Sequence, residues 1–200
     1  MRLRRSCSLF ALVISISFAN SACKSEGPAD DGEAHPARAK ERARQVDRGS
    51  EIAESARDAL AKRMMGRVSE AVAAGGHTNA VEVCNKEAPA ITRAVAEEYG
   101  VKIGRVSDRM RNAESRPPAW VEPIIAERPG LATQRRDGEG NLQAIFPILI
   151  AQPCLACHGA EEELAPGVKD ALARLYPDDE ATGYSIGDLR GWFWVEVPAS

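Results

Sequence analysis

The sequence predicts an α+β fold in which helices come first and an antiparallel sheet follows. Two early stretches place apolar residues at steps of three and four, whereas a later stretch alternates them about an Asp-Gly turn dipeptide. A tail rich in Gly and Pro then leads to a last short strand.

Residues 1–22 read as an export signal. Arg2, Arg4 and Arg5 form a positive n-region, and Leu9 to Ala19 form an apolar stretch too short to span a bilayer. Asn20-Ser21-Ala22-Cys23 has the form of a lipobox, although Asn20 stands where an apolar residue is usual. The expectation is lipidation at Cys23 and a membrane anchor on a periplasmic protein. A soluble periplasmic protein cut nearby is the alternative. Loss of the signal removes three arginines and no acid, taking the formal charge from −3 to −6, which gives no reason to expect a nucleic-acid partner. Residues 23–45 mix Ser, Gly, Pro, Ala and charged side chains and read as a flexible tether that carries His35; residues 46–200 read as the folded domain.

Between about 46 and 74, Ile52, Ala56, Leu60, Met64, Val68 and Val72 recur at helical spacing, and Gly75-Gly76 stops the pattern. A second helix, about 78 to 99, carries Val81, Cys84, Ala88, Ile91 and Val95, so Cys84 shares the core face. Pro89 is expected to kink this helix or to start a new one, because it has no N–H for the preceding turn. Val101 to Val106 reads as a strand, and the loop to Pro118 is rich in arginine, with Arg105, Arg109, Arg111 and Arg116. A short helix is expected from Trp120 to Glu127, ended by Pro129-Gly130.

Strands at about 131–136 and 142–150 flank Asp137-Gly138, which favours a tight hairpin. Alternation of Leu142, Ala144, Phe146, Ile148 and Ile150 predicts one buried face, and Pro147 places the strand at an edge or bulge. A short helix near 168–175, turn residues from Pro177 to Gly191 and a strand from Trp192 to Val197 complete the chain.

The hairpin runs directly into Cys154-Leu155-Ala156-Cys157-His158, the Cys-x-x-Cys-His pattern by which a c-type haem is attached. Thiols of Cys154 and Cys157 add to the haem vinyl groups, and the adjacent His158 is delivered to the iron as proximal ligand. One such run means one covalent haem c. The competing readings are a redox Cys-x-x-Cys pair, which is expected near a βαβ pattern, or half of a zinc site, which needs another clustered ligand pair. Arg109 and Arg111 are candidate partners for the haem propionates through forked, charge-assisted hydrogen bonds, as well as ordinary solvated loop residues. After Cys7 in the signal, Cys23 and the two haem thiols, Cys84 is left as an odd thiol that needs a use or a shelter in an oxidising compartment. Met64 and His77 are conceivable axial ligands too; a core methionine and a solvated histidine are the plainer meanings of their positions.

The commonest small cytochromes c have an early haem motif and a ligating methionine far downstream. Here Met1, Met64, Met65 and Met110 all precede Cys154. A cytochrome c-prime-like bundle has a late motif, but the Pro147 strand and the Gly- and Pro-rich tail do not read as a fourth helix.

Tyr176-Pro177, Ala181, Gly183-Tyr184, Gly187-Asp188 and Arg190-Gly191 follow the motif, and Arg111-Asn112, Pro117 and Trp120 precede it. In these residues the chain, over about 50–197, resembles the Tll-like c-type haem domain family, which also supplies input domains of some sensor kinases. It departs from that pattern at Ala113, Ser115, Val121 and Trp194. The resemblance implies a PAS-like domain, an antiparallel sheet flanked by helices, with His158 on one side of the iron and the thiolate of Cys84 on the other. Thiolate ligation favours ferric iron, and loss of the thiolate on reduction would move the helix carrying Cys84 and open a site for NO, CO or O₂. The function expected is sensing of redox state or a diatomic gas through an unknown partner protein, with a low-potential electron-transfer cytochrome as the alternative. An enzyme is not expected, since His77 and His35 are the only other histidines available as a distal acid/base.

Overall fold

A computed structural model describes residues 36–113 and 116–199. The signal segment, Cys23, His35 and the tether up to residue 35 lie outside the described residues.

The first element, α1 (Pro36–Tyr99), is helical except at Gly75 and Gly76. Gly76 has φ of 75°, a left-handed conformation that a glycine adopts without steric cost, and here the helix reverses into two arms. Asn79 Nδ2 donates to the Ala71 carbonyl across the break, and Arg63–Glu98 and Arg67–Glu87 ion pairs, at 2.6 and 2.7 Å, tie the arms further out. The glycine pair therefore makes a helical hairpin, where periodicity alone predicts a stop.

Two expectations about α1 need correction. Helix extends back to Pro36, so residues 36–45 of the expected tether are helical. Their Ala, Arg, Lys, Glu and Gln content is low in apolar residues but strong in helix propensity, and Pro36 suits a first helical position. Nor does Pro89 break the second arm, because non-helical angles occur only at the two glycines. Pro89 is exposed, and packing of Ala88, Ile91 and Val95 holds the helix on either side of it.

The sheet contains β1 (Lys102–Val106), β2 (Thr133–Arg136), β3 (Leu142–Leu149) and β4 (Leu189–Val197) in the order β1-β4-β3-β2, antiparallel throughout. The last strand thus fills the centre. Ala53, Ala56, Leu60, Met64 and Val95 of α1 pack on Ile103, Leu142, Ala144, Phe146 and Val195 of the sheet. The helices-then-sheet architecture is the α+β fold that the sequence predicts. Among the described residues no helix is long and apolar enough to cross a membrane.

Alternation along β3 predicts one buried face, yet Gln143 and Ile145 are buried as well. The second face is covered by Val121 and by Ile124 and Ile125 of α2 (Glu122–Ala126), together with Trp192. Trp194 lies across Gly104 and meets Trp120 edge to face at 6.3 Å, so this departure from the family pattern fills space that a glycine leaves open. Pro147 lies past the β2 pairing, which ends at Ile145, and next to a register shift at Ile148/Leu149, which is the edge or bulge environment proline requires. In the hairpin, Asp137 Oδ1 accepts the N–H groups of Glu139 and Asn141, and the left-handed position is Gly140 and not Gly138. The connection is thus longer than a two-residue turn.

Gly191 sits opposite that register shift with φ of 151°, and a Cβ there would lie 2.3 Å from the Val106 carbonyl oxygen. Gly191→Ala is expected to cost roughly 3 kcal/mol, or about 6–12 °C in melting temperature for a chain of this size. A thermal melt of the variant within 2 °C of wild type (roughly the effect of 1 kcal/mol or less) would remove the steric argument.

Candidate functional site

β3 ends beside a single 3₁₀ turn, Gln152–Cys154, followed by α3 (Leu155–His158). Cys154 already has helical angles, so Cys154, Cys157 and His158 stand at i, i+3 and i+4 and share one face of a single turn. Both cysteines are free thiols and half-buried, and Cys154 Sγ accepts the Ala151 N–H at 3.4 Å. Among the described residues no three His, Cys, Asp or Glu groups converge as a metal cluster.

The segment 179–184 holds this turn in place. Tyr184 N–H donates to the His158 carbonyl at 3.0 Å, and Gly183 N–H donates to the Gly159 carbonyl at 2.7 Å. His158 Nδ1 lies 2.7 Å from the Ala181 carbonyl oxygen. A carbonyl only accepts, so Nδ1 carries the proton and Nε2 keeps its lone pair. Burial, with the charges of Arg111 and Arg190 beside the ring, pushes the imidazole pKa down to about 3. The ring is therefore neutral at any physiological pH, which is the form that binds a metal.

Arg111 is the strut of this arrangement. Its Nη2 donates to the carbonyls of Cys157 at 2.6 Å and Ala181 at 3.2 Å, and its Nε donates to Asp179 Oδ1 at 3.2 Å. Both partners of the Arg111–Asp179 pair are buried, with side chains 14% and 8% exposed. Arg109 donates through Nε to the Glu180 carbonyl at 3.0 Å and through Nη2 to the Thr182 carbonyl, and its guanidinium lies 4.2 Å over the ring of Tyr184. Arg190 donates to the Arg109 carbonyl, and its Nε–H points at His158 Nδ1 from 3.3 Å. The two contacts compete for that nitrogen, and the shorter Ala181 contact, 2.7 Å, calls for Nδ1–H, which leaves the Arg190 contact without a hydrogen bond. The loop arginines thus bind backbone oxygens around the motif.

The second arm of α1 approaches from the other side. α4 (Val168–Leu175) buries Val168, Ala171 and Leu172 against Val81, with Cys157 packed at the edge of that cluster. Tyr176 after α4 is hydrogen-bonded to Asn85. Cys84 is one residue earlier on this arm. It lines a crevice between the two arms with Met64, Arg67, Val68 and Ile91. Burial pushes its thiol up, opposed by the charges of Arg105 and Arg111. Burial also pushes up the thiol of Cys157, and Cys84 is among the groups that act on it. Among the three side chains considered as second ligands, Met64 is a buried core residue of the first arm and His77 follows the glycine break.

Asp179, Ala181, Tyr184 and Arg190 have no role in the motif reading, although three of them belong to the tail segment that carries the family resemblance. That tail is the clamp on His158. Ala181 in particular acts through a backbone oxygen, for which the only available signal is a small residue at a 0% exposed position.

The family model for Tll0287-like proteins matches residues 36–198. In three dimensions the chain is similar to the crystal structure of the cyanobacterial heme-protein Tll0287, with 22% identity and a TM-score of 0.51, covering 84% of this chain and 98% of that one. This likeness is one of fold. Comparison with curated proteins gives no match.

Proposed function

Because the chain belongs to the Tll0287-like family, we propose that it is an exported, lipid-anchored c-type cytochrome that senses redox state or a diatomic gas. The observation that carries this reading is the 2.7 Å contact between His158 Nδ1 and the Ala181 carbonyl oxygen. With Nδ1–H committed to Ala181, Nε2 is the available donor, and it belongs to the same helical turn as two free thiols at the spacing that attaches haem.

The donor set fits a covalent haem c. Cys154 and Cys157 would form the thioethers, His158 would ligate the iron, and Cys84 would ligate from the second arm of α1. Bound there, the haem supplies a one-electron Fe(III)/Fe(II) couple and, when a protein ligand leaves, a place for a small gas. The chain's own contribution is electrostatic and positional. Ala181 fixes the ring of His158 and raises its basicity as a ligand, the outer-shell role that a carbonyl commonly plays. Arg111 fixes Ala181 in turn and anchors the Cys157 carbonyl. Arg105 and Arg111 favour the thiolate of Cys84 against the burial that disfavours it. The output would pass to a partner protein, and Cys23 would hold the domain at a periplasmic membrane surface.

The alternative is a low-potential electron carrier with a fixed ligand pair. It is favoured by the two-pronged Arg67–Glu87 pair, 2.7 and 2.9 Å, which fastens the Cys84 arm to its neighbour. Carbon monoxide separates the two readings, since a ferrous protein with fixed ligands does not bind it readily. The ligand assignment is tested by ferric electron paramagnetic resonance and absorption spectra of wild type and Cys84→Ser. A low-spin thiolate signature lost in the variant is expected. Identical spectra would remove Cys84 from the iron and turn attention to Met64 or His77.

A further inference from the structure

We infer that Arg105 is the carboxylate-binding group of this site, its guanidinium pairing with a propionate of the covalently held haem. The inference rests on the haem reading above and assigns the contact to an arginine whose guanidinium, unlike those of the loop arginines, has no protein acceptor among the described residues. Arg109, Arg111 and Arg190 all donate to protein acceptors around the motif. Arg105 has no hydrogen bond or ion pair among the described residues, which leaves a guanidinium with five N–H donors unused.

Its position makes that unusual. On β1, Ile103 packs into the core against α1, and with a period of two Arg105 points to the same side. Its register partner on β4 is Phe193, which also packs against that core. Arg105 nevertheless remains solvent-accessible, while burial by surrounding protein lowers its pKa. Cys84 and Tyr176 are the groups whose fields reach it, and neither is a carboxylate. The one carboxylate bound among these arginines, Asp179, is taken by Arg111. The planar fork of arginine matches a carboxylate with two parallel hydrogen bonds. A haem tethered at Cys154 and Cys157 brings two such carboxylates.

The test uses the full chain, matured with haem, as wild type, Arg105→Gln, Arg105→Lys and Arg105→Gln in a Cys84→Ser background. Covalent haem is counted first on denaturing gels. A wild type without it overturns the haem reading and this inference with it. With haem present, the propionate-bending bands in resonance Raman spectra should shift in Arg105→Gln, and the midpoint potential should fall, because loss of a nearby cation favours ferric iron. Arg105→Lys should keep most of the potential while its bands still shift, since it retains charge without the fork; this variant carries the test if Arg105→Gln does not fold. The shift should persist in the Cys84→Ser background. Unchanged bands in both single variants overturn the inference, and so does an effect present only with Cys84, which would assign Arg105 to the thiolate.

Discussion

Cys154→Ala/Cys157→Ala is expected to leave a folded protein with no covalent haem. Each thioether bond needs its own sulfur, and among the described residues the only other thiol, Cys84, belongs to another element, α1. The fold should survive. Cys154 and Cys157 are only half-buried, each deletes one sulfur, and substitutions of this kind cost about 1 kcal/mol. Haem staining after denaturing electrophoresis should drop to background, and acid-acetone should extract whatever haem remains with the protein. Far-UV circular dichroism should retain the helical signal of α1. Single variants should keep one thioether and show a red-shifted haemochrome band relative to wild type. Covalent haem in the double variant would refute the attachment site, and a wild type without haem would return the motif to the redox-pair or zinc readings.

Arg111→Leu should be among the most destabilising single changes outside the core, by about 3–5 kcal/mol, the usual cost of leaving one member of a buried ion pair alone. Three acceptors lose a donor at once. The Asp179 carboxylate, 8% exposed, is left in low dielectric, and the Cys157 and Ala181 carbonyls lose one bond each. Against a typical total stability of about 5–15 kcal/mol this is a large fraction. Arg63→Ala supplies the contrast. Its pair with Glu98 is shorter, 2.6 against 3.2 Å, but has side chains 41% and 51% exposed, so under about 1 kcal/mol is expected. Urea denaturation of the haem-free proteins measures both. Arg111→Leu/Asp179→Leu should recover part of the loss, because the stranded charge is gone. A cost below 1 kcal/mol for Arg111→Leu (the size of an exposed pair) would show that the pair is surface-like in solution.

Much of this architecture is local chemistry and was legible in order. The apolar spacing of α1, the short helix at Val168–Leu175 and the strands β1, β3 and β4 follow from periodicity, because each buries apolar residues against the rest of the chain, while β2, nearly all exposed, follows from the turn residues of its hairpin. Pro89 shows the limit of that logic. A missing N–H predicts a break, but the free energy of one lost hydrogen bond is small beside the packing that holds a long helix on both sides. The second buried face of β3 was equally hidden, because the layer that covers it comes from Val121 and the tryptophans, remote in sequence.

The candidate site divides in the same way. Cys154, Cys157 and His158 form one turn of helix, so their spacing alone brings them to one face, and the sequence by itself determined that arrangement. Which nitrogen of His158 meets the Ala181 carbonyl, which arginines bind backbone oxygens and which crevice Cys84 lines were decided by tertiary structure. The Ala181 carbonyl is 23 residues from His158 and the Arg111 guanidinium 46 residues from Cys157. Backbone acceptors carry no side-chain signature, and an arginine reads alike in sequence whether its partner is a carbonyl, a carboxylate or a ligand; only the folded contacts, which satisfy some donors and leave others open, tell them apart.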